Sequence, residues 1–283
     1  MTISRRTLFQ LFKYVVYVLL AMNVYWFFAE EVVAAQLQFP NGVSPADLIE
    51  AYSATIDTAA WVVLLLMFEL ETYVLDDKQF TKAVALSLHG LRALCYAVII
   101  YALYGYIANL TFLYETSLLS GVSSICSLPA GPWSWAVTLD EYAEITAANC
   151  TAMSDASIFH QFKDMRAVVD IRGLTDIRYL AWVDVINAAV WLLVVLLLEI
   201  DVRLQEHGLY EGLALKLSNI GKFILYFLLL LAAIYWGLEG DFVDFWDAFL
   251  WLVAFVFIEL NVFEWRLEDL EDKQAAARSA VVN

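Results

Sequence analysis

Six apolar stretches, each long enough to cross a lipid bilayer, dominate this chain of 283 residues. A span needs about 20 mostly apolar residues, and the runs at 8–29, 54–75, 84–113, 179–203, 218–238 and 243–265 meet that requirement. A bilayer core offers the backbone no hydrogen-bond partners, so a crossing segment of this length satisfies its amides as a helix. The expected fold class is an all-α integral membrane protein with six transmembrane helices. Composition agrees, with 62% hydrophobic and only 17% charged residues, far from the mix of a soluble domain. Val33-Ala34-Ala35 after the first run resembles a signal-peptidase site. The apolar region before it is longer than a signal peptide's h-region of about 7–15 residues, so it is read as the first span.

The runs are not six unrelated helices. WVVLLLMFEL at 61–70, WLLVVLLLEI at 191–200 and WLVAFVFIEL at 251–260 each place a Glu eight residues after a Trp, which sets Glu69, Glu199 and Glu259 in register. Asp57, Asn187 and Asp247 stand four before those Trp residues, and Glu71, Asp201 and Asn261 ten after. The odd-numbered runs carry a second pattern, Lys13-x3-Tyr17, Arg92-x3-Tyr96 and Lys222-x3-Tyr226, with Tyr25, Tyr104 and Tyr235 following. Each pair of runs therefore reads as one helical hairpin, repeated three times in tandem. Parallel repeats imply a pseudo-threefold axis along the membrane normal.

Charge sets the expected orientation. Lys and Arg in short cytoplasmic loops fix topology, and twelve of the sixteen basic residues fall on the side shared by both termini. Both termini are expected to be cytoplasmic, in a bacterial inner membrane or a plasma membrane. Lys163, Arg166, Arg172 and Arg178 lie in the long segment between the third and fourth runs, which places that segment outside. A net charge of −16 excludes nucleic acid as a partner, since phosphate binding needs a basic surface. The expected partners are the lipid bilayer and, beyond it, further copies of the chain or other membrane subunits.

The expected domains follow: a membrane part over 1–114, an external insertion over 115–178, a second membrane part over 179–266 and a cytoplasmic tail over 267–283. Cys126 and Cys150 are an even pair within the external insertion, and an oxidising compartment favours a disulfide between them. The stretch KDMRAVVDIRGLTDIRYLAW at its end alternates charged and apolar residues and is read as an amphipathic helix lying on the outer face.

The charged positions inside the spans carry the functional reading. Charges in a bilayer face a partner or a watery cavity, because leaving one unpaired there costs at least about 2.5–3.5 kcal/mol. Lys13, Arg92 and Lys222 lie at a depth similar to Glu69, Glu199 and Glu259, which suggests a layer of three base–acid pairs, one within each hairpin. That layer is either a structural lock or a station for protons and cations. Asp57, Asp184, Asp244 and Asp247 are the acids nearer the outer face; Asp57 stands twelve residues, or about 18 Å, from Glu69 along one helix. The expected function is a channel or secondary transporter for protons or small cations; the alternative is a non-catalytic membrane subunit or scaffold. His89 is the single histidine in a span, which leaves a bis-histidine haem without its second ligand. Walker A, G-x-S-x-G and H-E-x-x-H motifs are missing from the sequence. An enzyme is therefore not expected, nor a cofactor or a resident metal.

Overall fold

A computed structural model describes residues 5–71, 81–129, 131–206 and 213–257. Long helices dominate: α1 (Arg5–Gln38), α3 (Ser53–Glu69), α4 (Lys82–Phe112), α6 (Ile171–Glu206) and α7 (Leu213–Glu239), with the short α2 (Leu48–Ala51) between α1 and α3 and α5 (Cys150–Met153) between α4 and α6. Helical backbone also runs over 242–257, here α8. Four helical stretches, Thr7–Gln38, Lys82–Phe112, Ile171–Asp201 and Lys216–Glu239, are long and apolar enough to cross a membrane. The helices α3 and α8 reach the limits of the described residues near 71 and 257.

Local chemistry fixes where the helices begin and turn. The Thr81 side chain accepts the Val84 amide at 3.3 Å to start α4, and Asp170 accepts the Gly173 amide at 2.8 Å to start α6. Between α7 and α8, Gly240 takes φ +89°, and the Asp241 amide donates back to the Trp236 carbonyl at 3.0 Å. That is the glycine-dependent helix stop in which a left-handed residue satisfies the last carbonyls. Gly105 of α4 serves packing instead. A methyl group there would lie 2.5 Å from the Ile49 carbonyl, so the glycine is what lets α2 lie against α4.

The helix α3 packs between α1 and α4, and α6 between α4 and α7. Phe257 of α8 meets Phe9 and Phe12 of α1 edge-on at 5.1 and 5.6 Å, while α8 buries Ala248 beside Ala233 and Trp236 of α7. The six long helices thus form a closed ring of contacts. At its centre Trp61, Trp191 and Trp251 touch one another, with ring centroids 6.1, 6.2 and 6.4 Å apart. Val16, Leu20, Leu65, Val194 and Leu229 continue the core around them. The opposite faces stay apolar and uncovered, as at Leu8, Leu11, Val18, Leu94, Ile100 and Phe223. Uncovered aliphatic helix faces of this extent belong against lipid chains, and the protein is a membrane protein.

Between α4 and α6 the chain is not helical. It forms a five-stranded sheet in the order β1-β4-β5-β2-β3, from β1 (Ser117–Leu118), β2 (Ser134–Ala136), β3 (Tyr142–Glu144), β4 (Phe159–Gln161) and β5 (Ala167–Asp170). The β2–β5 pair is parallel and the other three pairs antiparallel. The expected amphipathic helix over KDMRAVVDIRGLTDIRYLAW is therefore corrected in its first part: Ala167–Asp170 form β5, and only from Ile171 onward is the stretch helical, as the start of α6. The reason is burial on both faces, since Ala167 and Val169 pack into one apolar cluster and Val168 into another, and β-branched residues suit such a strand. The fold is a mostly helical membrane bundle, as expected, and it carries a small inserted sheet.

Cys126 and Cys150 are disulfide-bonded, with Cα atoms 5.2 Å apart. The bond ties the 3-10 turn Ile125–Ser127 to α5 across 24 residues of chain. Closing a loop of that length stabilises by about 3 kcal/mol in the chain-entropy account. Cys126→Ser/Cys150→Ser should lower the stability of the sheet insertion by about that much, read as faster limited proteolysis within 117–170 while the helical bundle stays protected.

Candidate functional site

The acids four residues before the central tryptophans lie one helical turn nearer the sheet. There Asp57, Asn187 and Asp247 line a small chamber of about 40 Å³, floored by Trp61, Trp191 and Trp251. The helices α1, α4 and α7 contribute Phe27, Tyr106 and Trp236 to its wall, and Asp184 and Asp244 stand at its outer rim. Three of the four acids are held from a neighbouring helix. Asn23 Nδ2 donates to Asp247 Oδ1 at 2.7 Å, Trp236 Nε1 to Asp184 Oδ1 at 3.2 Å, and the Tyr106 hydroxyl to Asp57 Oδ2 at 3.5 Å. Asp57 Oδ1 and Asn187 Oδ1 are buried without a partner.

A larger vestibule of about 260 Å³ adjoins the chamber and shares Phe27, Tyr106, Asp184 and Asp244 with it. Its lining adds Glu30 and Glu31 from α1, Asp241 from the α7–α8 turn, and Asp140 and Glu141 from the sheet insertion. Every charged residue lining either cavity is an acid. Gln38 of α1 fixes the insertion over the vestibule, donating to the Leu139 carbonyl at 3.2 Å and to the Tyr142 hydroxyl at 3.3 Å. Thr138 Oγ1 accepts the amides of Asp140 and Glu141 at 3.2 and 3.0 Å, which shapes the loop that presents both acids.

One of these acids is committed to structure. Glu31 is 3% exposed and accepts the Ala54 amide at 2.7 Å, the Thr55 amide at 3.1 Å and the Thr55 hydroxyl at 2.5 Å. It caps the start of α3 from a distant helix, where amide donors are otherwise orphaned. Glu31→Ala should cost about 2 kcal/mol, at the upper end for a lost cap, seen as a lower thermal midpoint.

Asp140 and Asp241 meet across the gap between the insertion and the bundle. Burial, and then the charge of Asp241, push the Asp140 carboxyl up to about 6. Burial also raises Asp241. An unfolded Asp titrates near 3.9, so between roughly pH 4 and 6 the folded chain holds the extra proton. The contribution of Asp140 to stability is therefore most favourable below about pH 4 and falls as pH rises to 6, by at most about 3 kcal/mol. Asp140→Asn should flatten the thermal midpoint across that window.

The expected charged layer lies on the other side of the tryptophans, with the expected partner for Lys13 and other acids beside Arg92 and Lys222. Lys13 and Glu69 form a pair at 2.6 Å, joined by the Tyr14 and Tyr17 hydroxyls, which donate to Glu69 at 3.1 and 3.4 Å. Arg92 instead meets Glu71, and Lys222 meets Asp201 at 3.0 Å. Glu199 is not Arg92's partner; it lies 3.4 Å from Arg203 on its own helix, exposed. Glu259 lies outside the described residues. Acids ten residues after Trp thus serve Arg92 and Lys222, each on the helix packed beside them. Ten residues after Trp251 stands Asn261, also outside the described residues.

Sequence reasoning placed Asp57, Asp184, Asp244 and Asp247 together at the outer side, and the structure brings all four to the chamber. It missed the aromatic wall. Tyr25 and Tyr104 face outward at 69% and 59% exposure, whereas Phe27, Tyr106 and Trp236, each fourteen residues after Lys13, Arg92 and Lys222, line the cavity. Counting onward from the basic positions would have found them. Nothing in the sequence pointed to Asp140 or Asp241, because a loop contact across unrelated segments leaves no periodic trace. Among the described residues no three His, Cys, Asp or Glu side chains come together closely enough to hold a metal ion. No protein-family model matches the chain, and no characterised protein or solved structure shows significant similarity to it, so its function is argued from this cavity.

Proposed function

We propose that the chain is a channel or secondary transporter moving protons or small cations along the axis of its helical bundle. The observation that carries this reading is the pair of connected cavities whose charged lining is entirely acidic. Low-dielectric walls focus such a field and raise the local cation concentration. Ions gathered at the vestibule would be received by Asp184 and Asp244 and then by Asp57 and Asp247, above the closed triangle of tryptophans. The triangle is the gate in this reading, and the Lys13–Glu69, Arg92–Glu71 and Lys222–Asp201 pairs are the inner layer beyond it.

The finer architecture belongs to the same proposal: six spans as three tandem hairpins about a pseudo-threefold axis, with both termini cytoplasmic and the sheet outside. Three tryptophans at one sequence offset, meeting at nearly equal distances, support the axis. The disulfide supports an oxidising compartment for the sheet.

Purified protein in liposomes should carry protons or monovalent cations down an imposed gradient, at a rate that falls when the chamber acids become amides. Absence of flux under every gradient would sink the proposal. The tight triangle favours one other reading, a non-catalytic subunit whose core is merely packed. Native purification with a stoichiometric membrane partner, together with no flux, would establish it.

A further inference from the structure

The two connected cavities carry a chemistry more specific than negative charge, and we infer that their ligand is a linear aliphatic polyamine, a flexible chain bearing two or more ammonium groups. This rests on the cation reading above and narrows it to one substrate class. The inner chamber is walled by aromatic side chains: Trp61, Trp191, Trp236 and Trp251, all buried, with Phe27 and Tyr106. Organic ammonium groups are stabilised beside aromatic rings, which is how aromatic cages hold them. A metal ion asks for something else, several oxygens converging at one point. Among the described residues no such convergence of three acids occurs.

The acids are instead strung along a path. Asp57 and Asp247 stand in the chamber, Asp184 and Asp244 at the neck shared with the vestibule, and Asp140 and Asp241 further out. Successive carboxylates separated by apolar surface match successive ammonium groups separated by methylenes. Leu139, Phe242 and Val243 supply that surface in the vestibule. The chamber, at about 40 Å³, exceeds the roughly 10–15 Å³ that one water-sized group requires and has room for one ammonium head. The vestibule, at about 260 Å³, takes the rest of the chain.

An independent observation points into the chamber. Asp57 Oδ1 and Asn187 Oδ1 line it, are buried, and have no hydrogen-bond partner. Buried polar atoms in folded proteins are almost always paired. A terminal ammonium carries three donors and no acceptor, so it satisfies both oxygens at once with a donor left for Asp247. Asn187 stands where the other two hairpins have Asp, and its amide oxygen accepts from the cation without adding a third charge.

The test uses the purified protein in nanodiscs, with tryptophan fluorescence as the readout and 1,4-diaminobutane, spermidine, butylamine, Na⁺ and Ca²⁺ as probes at equal ionic strength. The diamine and spermidine should give saturable changes, with butylamine at least 10-fold weaker and the two metal ions showing no saturation. Asp184→Asn/Asp244→Asn should weaken diamine binding at least 10-fold while thermal unfolding shows the variant folded. Asp140→Asn, distant from the chamber, should weaken spermidine but leave butylamine unchanged. Saturation by Ca²⁺ or Na⁺ at or below the diamine concentration overturns the inference, as does diamine binding indifferent to both variants. Proton or metal-cation flux in liposomes with no amine binding upholds transport and sinks the polyamine. Amine binding with no flux of any ion or amine upholds this site and sinks transport.

Discussion

Replacing Lys13 with Met should destabilise the protein by about 3–5 kcal/mol, the cost of leaving one member of a buried ion pair without its counter-ion. Lys13 is 1% and Glu69 5% exposed, and their atoms lie 2.6 Å apart. The two tyrosine hydroxyls remain to donate to Glu69, but they bring no positive charge. Neutralising the acid as well should recover most of the loss, because a neutral pair of similar volume escapes the desolvation penalty that both charges now bear. Thermal midpoints of Lys13→Met, Glu69→Gln and Lys13→Met/Glu69→Gln in one detergent measure this directly. If Lys13→Met unfolds no earlier than the parent protein, the pair is not holding α1 to α3. Arg92→Met should cost far less, since the Arg92–Glu71 side chains are 31% and 21% exposed and water screens them.

The contrast between these pairs explains what the sequence could and could not reveal. Helix periodicity and length make the apolar runs visible, because a bilayer permits few ways of satisfying a backbone. A charge at a fixed offset in each run marks depth, so the base and acid layer was legible as a layer. Partner choice was not. Residues eight and ten after Trp differ by about 200° around an α-helix, and which of the two faces a given base depends on which helix packs beside it. Arg92 and Lys222 turn to Glu71 and Asp201 in the helical segments that precede them in the chain, whereas Lys13 turns to Glu69 on α3, which follows it. The sheet was hidden for a related reason. Val168 and Val169 alternate between two cores only after distant strands have paired, and an apolar run as short as Ala167–Val169 reads equally as helix or strand. Asp57, Asn187 and Asp247 could be grouped from sequence because they share one offset from tryptophans that pack together at the centre of the bundle.

Asp57→Asn/Asp247→Asn should reduce cation or proton flux in liposomes by at least 10-fold, while the protein remains folded. Two carboxylates about 5 Å from a bound cation each contribute about 3 kcal/mol at an effective dielectric constant of 20. Losing both removes more than enough to empty the chamber, and hydrogen-bonding capacity survives because each amide keeps one acceptor oxygen. Asp140→Asn gives the control that separates gathering from holding. Asp140 lies at the vestibule, outside the chamber, so for protons and small cations its loss should slow uptake mainly at low salt. The chamber variant should be impaired at every salt concentration, because a buried contact is poorly screened. Glu69→Gln completes the comparison: if the inner layer is a lock, this variant loses stability yet conducts per folded molecule like the parent. Were Asp57→Asn/Asp247→Asn to conduct normally while Glu69→Gln did not, the path would have to run through the charged pairs and bypass the chamber, and the tryptophan triangle would be packing alone.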